Sequence, residues 1–329
     1  MSQIHRHRGV ALLIVLMIVA IVSILGTEMA TRLQLQVQRT ANIKDNNQAY
    51  WYAMGAEAFA RKSIGDLLAE TDDKISLDQP WAQEFTYPLD GGGINARLED
   101  MQSCFNINAV ATGSDEQQQR QEVTPTMEAF GRMLLALENE QIDTYTADTV
   151  RDSLADWLDS DDRMRPYGAE DSEYESREFP YLAANGLMSA QSEIRLVNGV
   201  AASWVNDILP LICVIPGVNT LKVNVNTLTS EHGALLAGLT GLSLQDANSL
   251  ISNRPQEGWE ETADFLAEPA IQALGLDQEQ QDWFDVTTEY FLLHTKTRYN
   301  KASFAMSTVF HAQSGSSVSV LRREFGGVE

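Results

Sequence analysis

Sixteen consecutive uncharged residues, Val10–Leu25, constrain this chain more than any other stretch. The run is interrupted only by Ser23, and His5, Arg6, His7 and Arg8 stand directly before Gly9. As a helix it spans roughly 24 Å, a little short of a ~30 Å hydrocarbon core, and Gly26 and Thr27 extend it slightly. Arg6 and Arg8 stay on the cytoplasmic side under the positive-inside rule, which places everything after Glu28 beyond the inner membrane. A secretory signal needs a small-residue cleavage site after its apolar run, and "ILGTEMA" offers only a poor one. The helical pattern also continues. No proline occurs before Pro80, and Leu33, Val37, Ala41, Tyr50, Met54 and Ala58 recur at spacings that suit one helix face. A helix apolar all round at its start and amphipathic afterwards needs neighbours along its whole length.

The 329 residues have room for two compact domains, or one domain with a large insertion. Against 23 basic residues there are 46 acidic ones, a formal charge of −23. That balance repels phosphate backbones, which are held by Lys and Arg, and favours cations and basic partners. The segment "WAQEFTYPLDGGGINARLEDMQSCFNIN" reads as strand, glycine turn and strand. Strand character returns in "VTTEYFLLHTKTRYN", "KASFAMSTVFHA" and "SVSVLRREF", an antiparallel meander. One sheet split between residues 81–106 and 283–325 makes the middle an insertion. That middle is helical: "TMEAFGRMLLALENE" and "TADTVRDSLADWLDS" have helical spacing, with Thr126 and Thr146 as expected N-caps. "NIN" at Asn106–Asn108 and "NVN" at Asn224–Asn226 echo one another, each followed by helices. The simpler reading of these asparagines is turn capping; the other is a doubled small helical unit.

A basic leader ending in glycine, then an apolar run that continues as helix, resembles the type IV pilin and pseudopilin family. The resemblance implies cleavage between Gly9 and Val10 by a prepilin peptidase, with N-methylation of Val10. An ordinary single-pass anchor is the plain alternative. Family members mostly carry Glu at the fifth mature position, and here that residue is Ile14. A carboxylate in the apolar layer is costly unless paired. A subunit lacking it has nothing ahead of it to neutralise, which suits a tip position. With "SLADWLDSDDRMRPYGAEDSEY", "FPYLAANGLMSAQSEIRLVNGV" and "VNVNT", the resemblance narrows to K-type minor pseudopilins of type II secretion, the general secretion pathway protein K family.

That resemblance implies an α+β, type IV pilin-like fold: a long N-terminal helix and antiparallel sheet, with a large inserted α-helical domain. The implied limits are 1–9 for the leader, 10–27 for the transmembrane helix and 28–106 for the pilin-like helix and first strands. The helical insertion, with its two helix-hairpin-helix or SAM-like units, takes 107–280, and the remaining strands 281–329. Implied partners are the I- and J-type minor pseudopilins and other pseudopilins, and at the tip secreted substrates and the outer-membrane channel. The second unit, "GLTGLSLQDANSLISNRPQEGW", resembles a helix-hairpin-helix module. Between Gly238 and Glu268, however, it has one basic residue, Arg254, and six acidic ones, so no nucleic acid is expected. A minor pilin of a retractile pilus and a tethered DNA-uptake receptor are the rival functions.

From Asp152 to Glu178 there are ten acidic and three basic residues, a density that needs water or a cation to screen it. Asp159, Asp161, Asp162, Glu170 and Asp171 are hard oxygen donors of the kind Ca²⁺ takes. They do not form an EF-hand, because Arg163 and Met164 fall where that loop needs an oxygen ligand and a glycine. The family resemblance implies calcium in the helical domain, and this stretch is its candidate site; a solvated acidic loop is the alternative. Cys104 and Cys213 are the only cysteines, either bonded in an oxidising periplasm or left as two buried thiols. His232, His294 and His311 lie in no His-Glu-x-x-His, Gly-x-Ser-x-Gly or phosphate-loop context, so an assembly protein is expected rather than an enzyme.

Overall fold

The structure is a computed structural model that describes residues 10–70, 74–111, 122–313 and 317–326. Gly9, and with it the expected leader and cleavage site, lies outside the described residues. Helix α1, Val10–Glu70, runs 61 residues without a break, about 92 Å at 1.5 Å per residue. Residues 10–44 are exposed on every side, and this is the helix long and apolar enough to cross a membrane. Burial begins further on, along a stripe of Ala49, Ala53, Ala56, Ala60, Ile64 and Leu68. The alanines bring the sheet close to the helix, while the two larger residues fill the far end.

After α1 the chain makes a hairpin of β1 (Phe85–Leu89) and β2 (Gly92–Asp100). Gly91 turns it at φ +79°, and a Cβ on Gly92 would lie 1.9 Å from the Arg298 carbonyl oxygen, so only glycine fits. The sheet is left at Asp100. The insertion then contributes β3 (Phe105–Asn106), α2 (Pro125–Ala136), α3 (Thr144–Leu158), β4 (Ile212–Cys213) and β5 (Val223–Asn224). It ends with α4 (Gly233–Thr240), α5 (Leu244–Ser252) and β6 (Phe284–Asp285). The sheet resumes with β7 (Tyr290–Tyr299), β8 (Ala302–His311) and β9 (Ser319–Phe325). Its order is β1-β2-β7-β8-β9, antiparallel throughout, so the insertion joins two strands that are neighbours. Measured by where the sheet is left and re-entered, the insertion extends a few residues beyond the 107–280 expected from sequence.

One face of the sheet packs on α1. Ala96, Phe291, Leu293 and Phe310 meet Ala60, Ile64 and Leu68 in a single cluster. Two polar locks fix the register. The Thr297 hydroxyl donates to the Ala49 carbonyl at 2.7 Å, and the Arg323 guanidinium grips both oxygens of Glu57 at 2.6 and 2.8 Å. Those hydrogen bonds, and the charge behind them, hold the Glu57 carboxyl below the usual range. Helical capping departs from expectation by a residue or more. The N-caps are Thr124, accepting from Met127 N, and Asp143, accepting from Thr146 N. Pro125 explains the first shift: it is favoured at the first helical position, which makes its predecessor the cap. Thr126 and Thr146 lie inside the helices.

The echoed asparagines are more than turn caps. Each triplet begins on the second residue of a two-residue parallel bridge, β3 with β4 and β5 with β6. The second asparagine of each then pairs with both backbone groups of one distant residue. Asn108 holds Met188 N and O at 2.9 and 3.1 Å, and Asn226 holds Trp259 N and O at 2.8 and 2.9 Å. All four asparagines are buried, so each amide supplies hydrogen bonds that water cannot. The insertion is therefore two units built on one plan. They share a core in which α2 crosses α4 at Gly238, whose Cβ, if present, would lie 2.6 Å from Met133 Cβ.

Candidate functional site

Two places in the insertion gather chemistry-bearing side chains. The first is the neck where it joins the sheet. Asp100, at the end of β2, is buried and accepts from Gln102 N at 2.7 Å, Asn224 Nδ2 at 3.0 Å and the Thr227 hydroxyl at 2.6 Å. Asn224 Nδ2 also reaches the Ile75 carbonyl at 3.0 Å. Burial outweighs these donors and pushes the Asp100 carboxyl up to about 6. Alongside, Cys104 and Cys213 have their sulfurs 2.07 Å apart and Cα atoms 5.8 Å apart, a disulfide packed with Met101, Ile215 and Val309. It bridges a sequence separation of 109 and staples the base of the first unit.

The second place is the acidic stretch. Helix α3 carries Asp152 and Asp156 one turn apart, and both are buried. They hold the loop that follows: Asp152 Oδ2 accepts from Tyr167 N at 3.3 Å and Asp156 Oδ2 from Arg165 N at 3.1 Å. Gly168 makes room, since a Cβ there would lie 1.8 Å from Asp156 Oδ2. Arg165 Nε faces Asp156 Oδ1 at 3.4 Å, without hydrogen-bond geometry. Glu170 is 4% exposed and neither of its carboxylate oxygens has a hydrogen-bond partner.

Burial, reinforced by Asp156, Asp159, Asp162 and Asp171, pushes the Glu170 carboxyl up to about 8. Asp156 is raised to about 7 by burial with Asp159 and Asp152 nearby, and Asp159 to about 6 by burial and Asp161. Asp159, Asp162 and Asp171 are thus near enough to raise the Glu170 carboxyl electrostatically. Asp161 points elsewhere, its carboxylate gripped by Arg163 at 2.7 to 3.2 Å, and Asp171 spends one oxygen on Ala183 N at 2.9 Å. Asp156 was not among the candidates. Its signal was spacing: it stands one turn before Asp159 on a helix that ends at Leu158.

Orphaned, buried carboxylate oxygens on Glu170 and Asp156 fit a hard divalent cation, which takes six to eight oxygen ligands. Among the described residues, no three metal-ligating side chains are yet gathered into a cage. The remaining oxygens of such a site would come from Asp159, Asp162, Asp171, backbone and water.

Other candidates are accounted for by local bonding. Arg254, the basic residue of the helix-hairpin-helix stretch, donates Nη1 to the Val225 and Leu228 carbonyls at 3.1 and 2.6 Å. That stretch does form a hairpin, α4 and α5 joined through Gly241 at φ +82° and capped by Ser243. His232 Nδ1 accepts from Thr229 N at 2.9 Å, and His294 Nε2 faces Glu99 at 3.1 Å. Beside α1, an apolar groove of about 900 Å³ is walled by Phe59, Trp81, Phe85 and Tyr87 over a floor of Ala56 and Ala60.

Comparison with known proteins accords with this architecture. Two family profiles described as type II secretion system (T2SS), protein K match residues 103–217 and 223–287, the two units in turn. Type II secretion system protein K of Aeromonas hydrophila is 34% identical, over 100% of both chains. The protein of that name from Klebsiella pneumoniae is also 34% identical, over 98% of this chain and 97% of its own. Among solved structures, a chain of the GspK–GspI–GspJ complex from the enterotoxigenic Escherichia coli type 2 secretion system superposes with a TM-score of 0.77. It is 28% identical and covers 88% of this chain and 100% of its own. By full-length similarity and shared fold, this chain belongs to the type II secretion system protein K family.

Proposed function

We propose that this chain is a minor pseudopilin at the tip of the type II secretion pseudopilus, where it assembles with I- and J-type minor pseudopilins. The observation that carries the reading is α1: its residues 10–44 are exposed on all sides, yet the same helix continues into the core of the folded domain. Such a helix is stable only in a membrane or among like helices, and it commits the domain to follow it. The work is packing, not catalysis. Prepilin peptidase cuts between Gly9 and Val10, the inner membrane holds Val10–Thr27 until assembly, and the body lies in the periplasm. The disulfide accords with that oxidising compartment. Ile14 leaves no carboxylate to be neutralised by a subunit ahead, and the insertion's bulk closes the end of the filament. Secreted substrates and the outer-membrane channel are the surfaces such a tip meets.

Full-length chain, co-expressed with I- and J-type pseudopilins and purified in detergent, should retain both. Intact-mass measurement should find it beginning at a methylated Val10. Retention of retractile-pilus subunits instead, or a mature start beyond Leu25, would overturn the reading.

Calcium is the cation we assign to the Asp156–Glu170 cluster, with Asp159, Asp162 and Asp171 around it. Bound there, it would neutralise carboxylates whose burial otherwise costs stability. At calcium one hundred times its dissociation constant the gain is about 2.7 kcal/mol. Melting curves with calcium and with EGTA should separate by several degrees, and Glu170→Gln should abolish the separation. Coincident curves, with the metal shown to be stripped by EGTA, would remove calcium from the account.

A further inference from the structure

One buried cation already stands inside the acidic cluster. Arg165 is 5% exposed, and its backbone amide binds Asp156 Oδ2 at 3.1 Å while its Nε faces Asp156 Oδ1 at 3.4 Å. Its Nη1 is turned outward to the Glu122 carbonyl at 3.3 Å. Neither Nε nor Oδ1 completes a hydrogen bond, so the contact is a charge pair without good geometry. A buried pair recovers its desolvation cost only when its hydrogen bonds are well made. Nor does the guanidinium satisfy Glu170, both of whose oxygens stay without a hydrogen-bond partner. The arrangement is sufficient to hold the loop in place and insufficient to satisfy the cluster.

We propose that Arg165 is the resident counter-ion of this cluster and competes with Ca²⁺ for Asp156, so that it sets the calcium concentration at which the helical domain stiffens. The proposal rests on the calcium reading above. When the metal binds, Asp156 Oδ1 exchanges the guanidinium for the divalent ion, and Arg165 swings toward Glu122 and solvent. The amide of residue 165 keeps its bond to Oδ2, so the loop need not refold. The arginine therefore weakens calcium binding while protecting the metal-free protein from unpaired buried charge.

The test is calorimetric titration of calcium chloride into the full-length chain in detergent micelles, after stripping with EGTA. Arg165→Met should bind calcium at least about tenfold more tightly than the unaltered chain, because its metal-free state has lost a buried counter-charge. Its melting point in EGTA should fall, while with saturating calcium the two proteins should melt together. Arg165→Lys, which keeps the charge but loses Nε, should move affinity the same way by less, and serves if the methionine variant does not fold. Equal or weaker calcium binding in the variant that folds overturns the competition. If the unaltered chain takes up no calcium, the calcium reading itself falls and the proposal with it.

Discussion

Replacing Cys104 and Cys213 together by serine should lower the unfolding free energy by about 4–5 kcal/mol, the loop-entropy value for a cross-link spanning on the order of 100 residues. The bridge spans a sequence separation of 109, and the loop it closes holds nearly all of the first helical unit, including α2, α3 and the acidic cluster. Its sulfurs pack against Met101, Ile215 and Val309 at the neck, so loss of the bond loosens the joint between insertion and sheet. Urea unfolding of the double variant against the unaltered chain measures the loss, and a thiol count under denaturing, non-reducing conditions should find no free thiol in the unaltered chain. A loss below about 1 kcal/mol would show that the unfolded chain gains little freedom when the bridge is gone. Two free thiols would show that the bridge does not form.

A second large effect is a dependence on pH centred on Asp100. Its folded carboxyl sits at about 6 because burial disfavours the charge, against an ordinary value of 3.8 in the unfolded chain. The folded state therefore binds the proton more tightly. The associated stabilisation is complete below pH 3.8 and is lost as pH rises through about 6, by about 3 kcal/mol in all. Asp100→Asn removes that dependence. It also sets an amide donor against Asn224 Nδ2, a pH-independent cost, so the informative quantity is the slope and not the level. The stability difference between the unaltered chain and the variant should shrink by about 2.4 kcal/mol between pH 4 and pH 7. Parallel pH profiles would mean that water reaches Asp100 and screens it.

The architecture was largely legible because it rests on local patterns. Sixteen uncharged, almost wholly apolar residues, strand-forming runs at β2, β7, β8 and β9, and a glycine turn at Gly91 each point to one kind of element. The same holds for the hairpin of α4 and α5, written in Gly241 and Ser243. Caps were less legible: by residue type Thr126 and Thr146 are acceptable caps, and although Pro125 favours Thr124, only the helix axis chooses Asp143 over Thr146. The asparagine echo was visible, but its meaning was not, because Asn108 and Asn226 act on residues far along the chain.

The candidate site divides along the same line. Spacing and charge marked Asp159, Asp162, Glu170 and Asp171, since a dense acidic loop after a helix is visible in one dimension. Asp156 escaped notice, because a carboxylate within a helix reads as a solvated face until the loop of residues 163–168 folds over it. Whether an acidic residue is buried, and which cation reaches it, depends on what packs from elsewhere. Asp161 shows the converse: it belongs to the run by sequence, but Arg163 claims it locally.

By itself the sequence determined that the chain starts in a long helix apolar enough to cross a membrane, that its sheet is interrupted, and that its net charge is strongly acidic. These follow from composition and periodicity, which act over a few residues. Tertiary structure alone decided that Cys104 meets Cys213, that Asp100 is buried at the neck, and that Arg165 stands among the carboxylates. Those contacts join residues whose separation in sequence says nothing about their distance, and only the closing of a shared core brings them together.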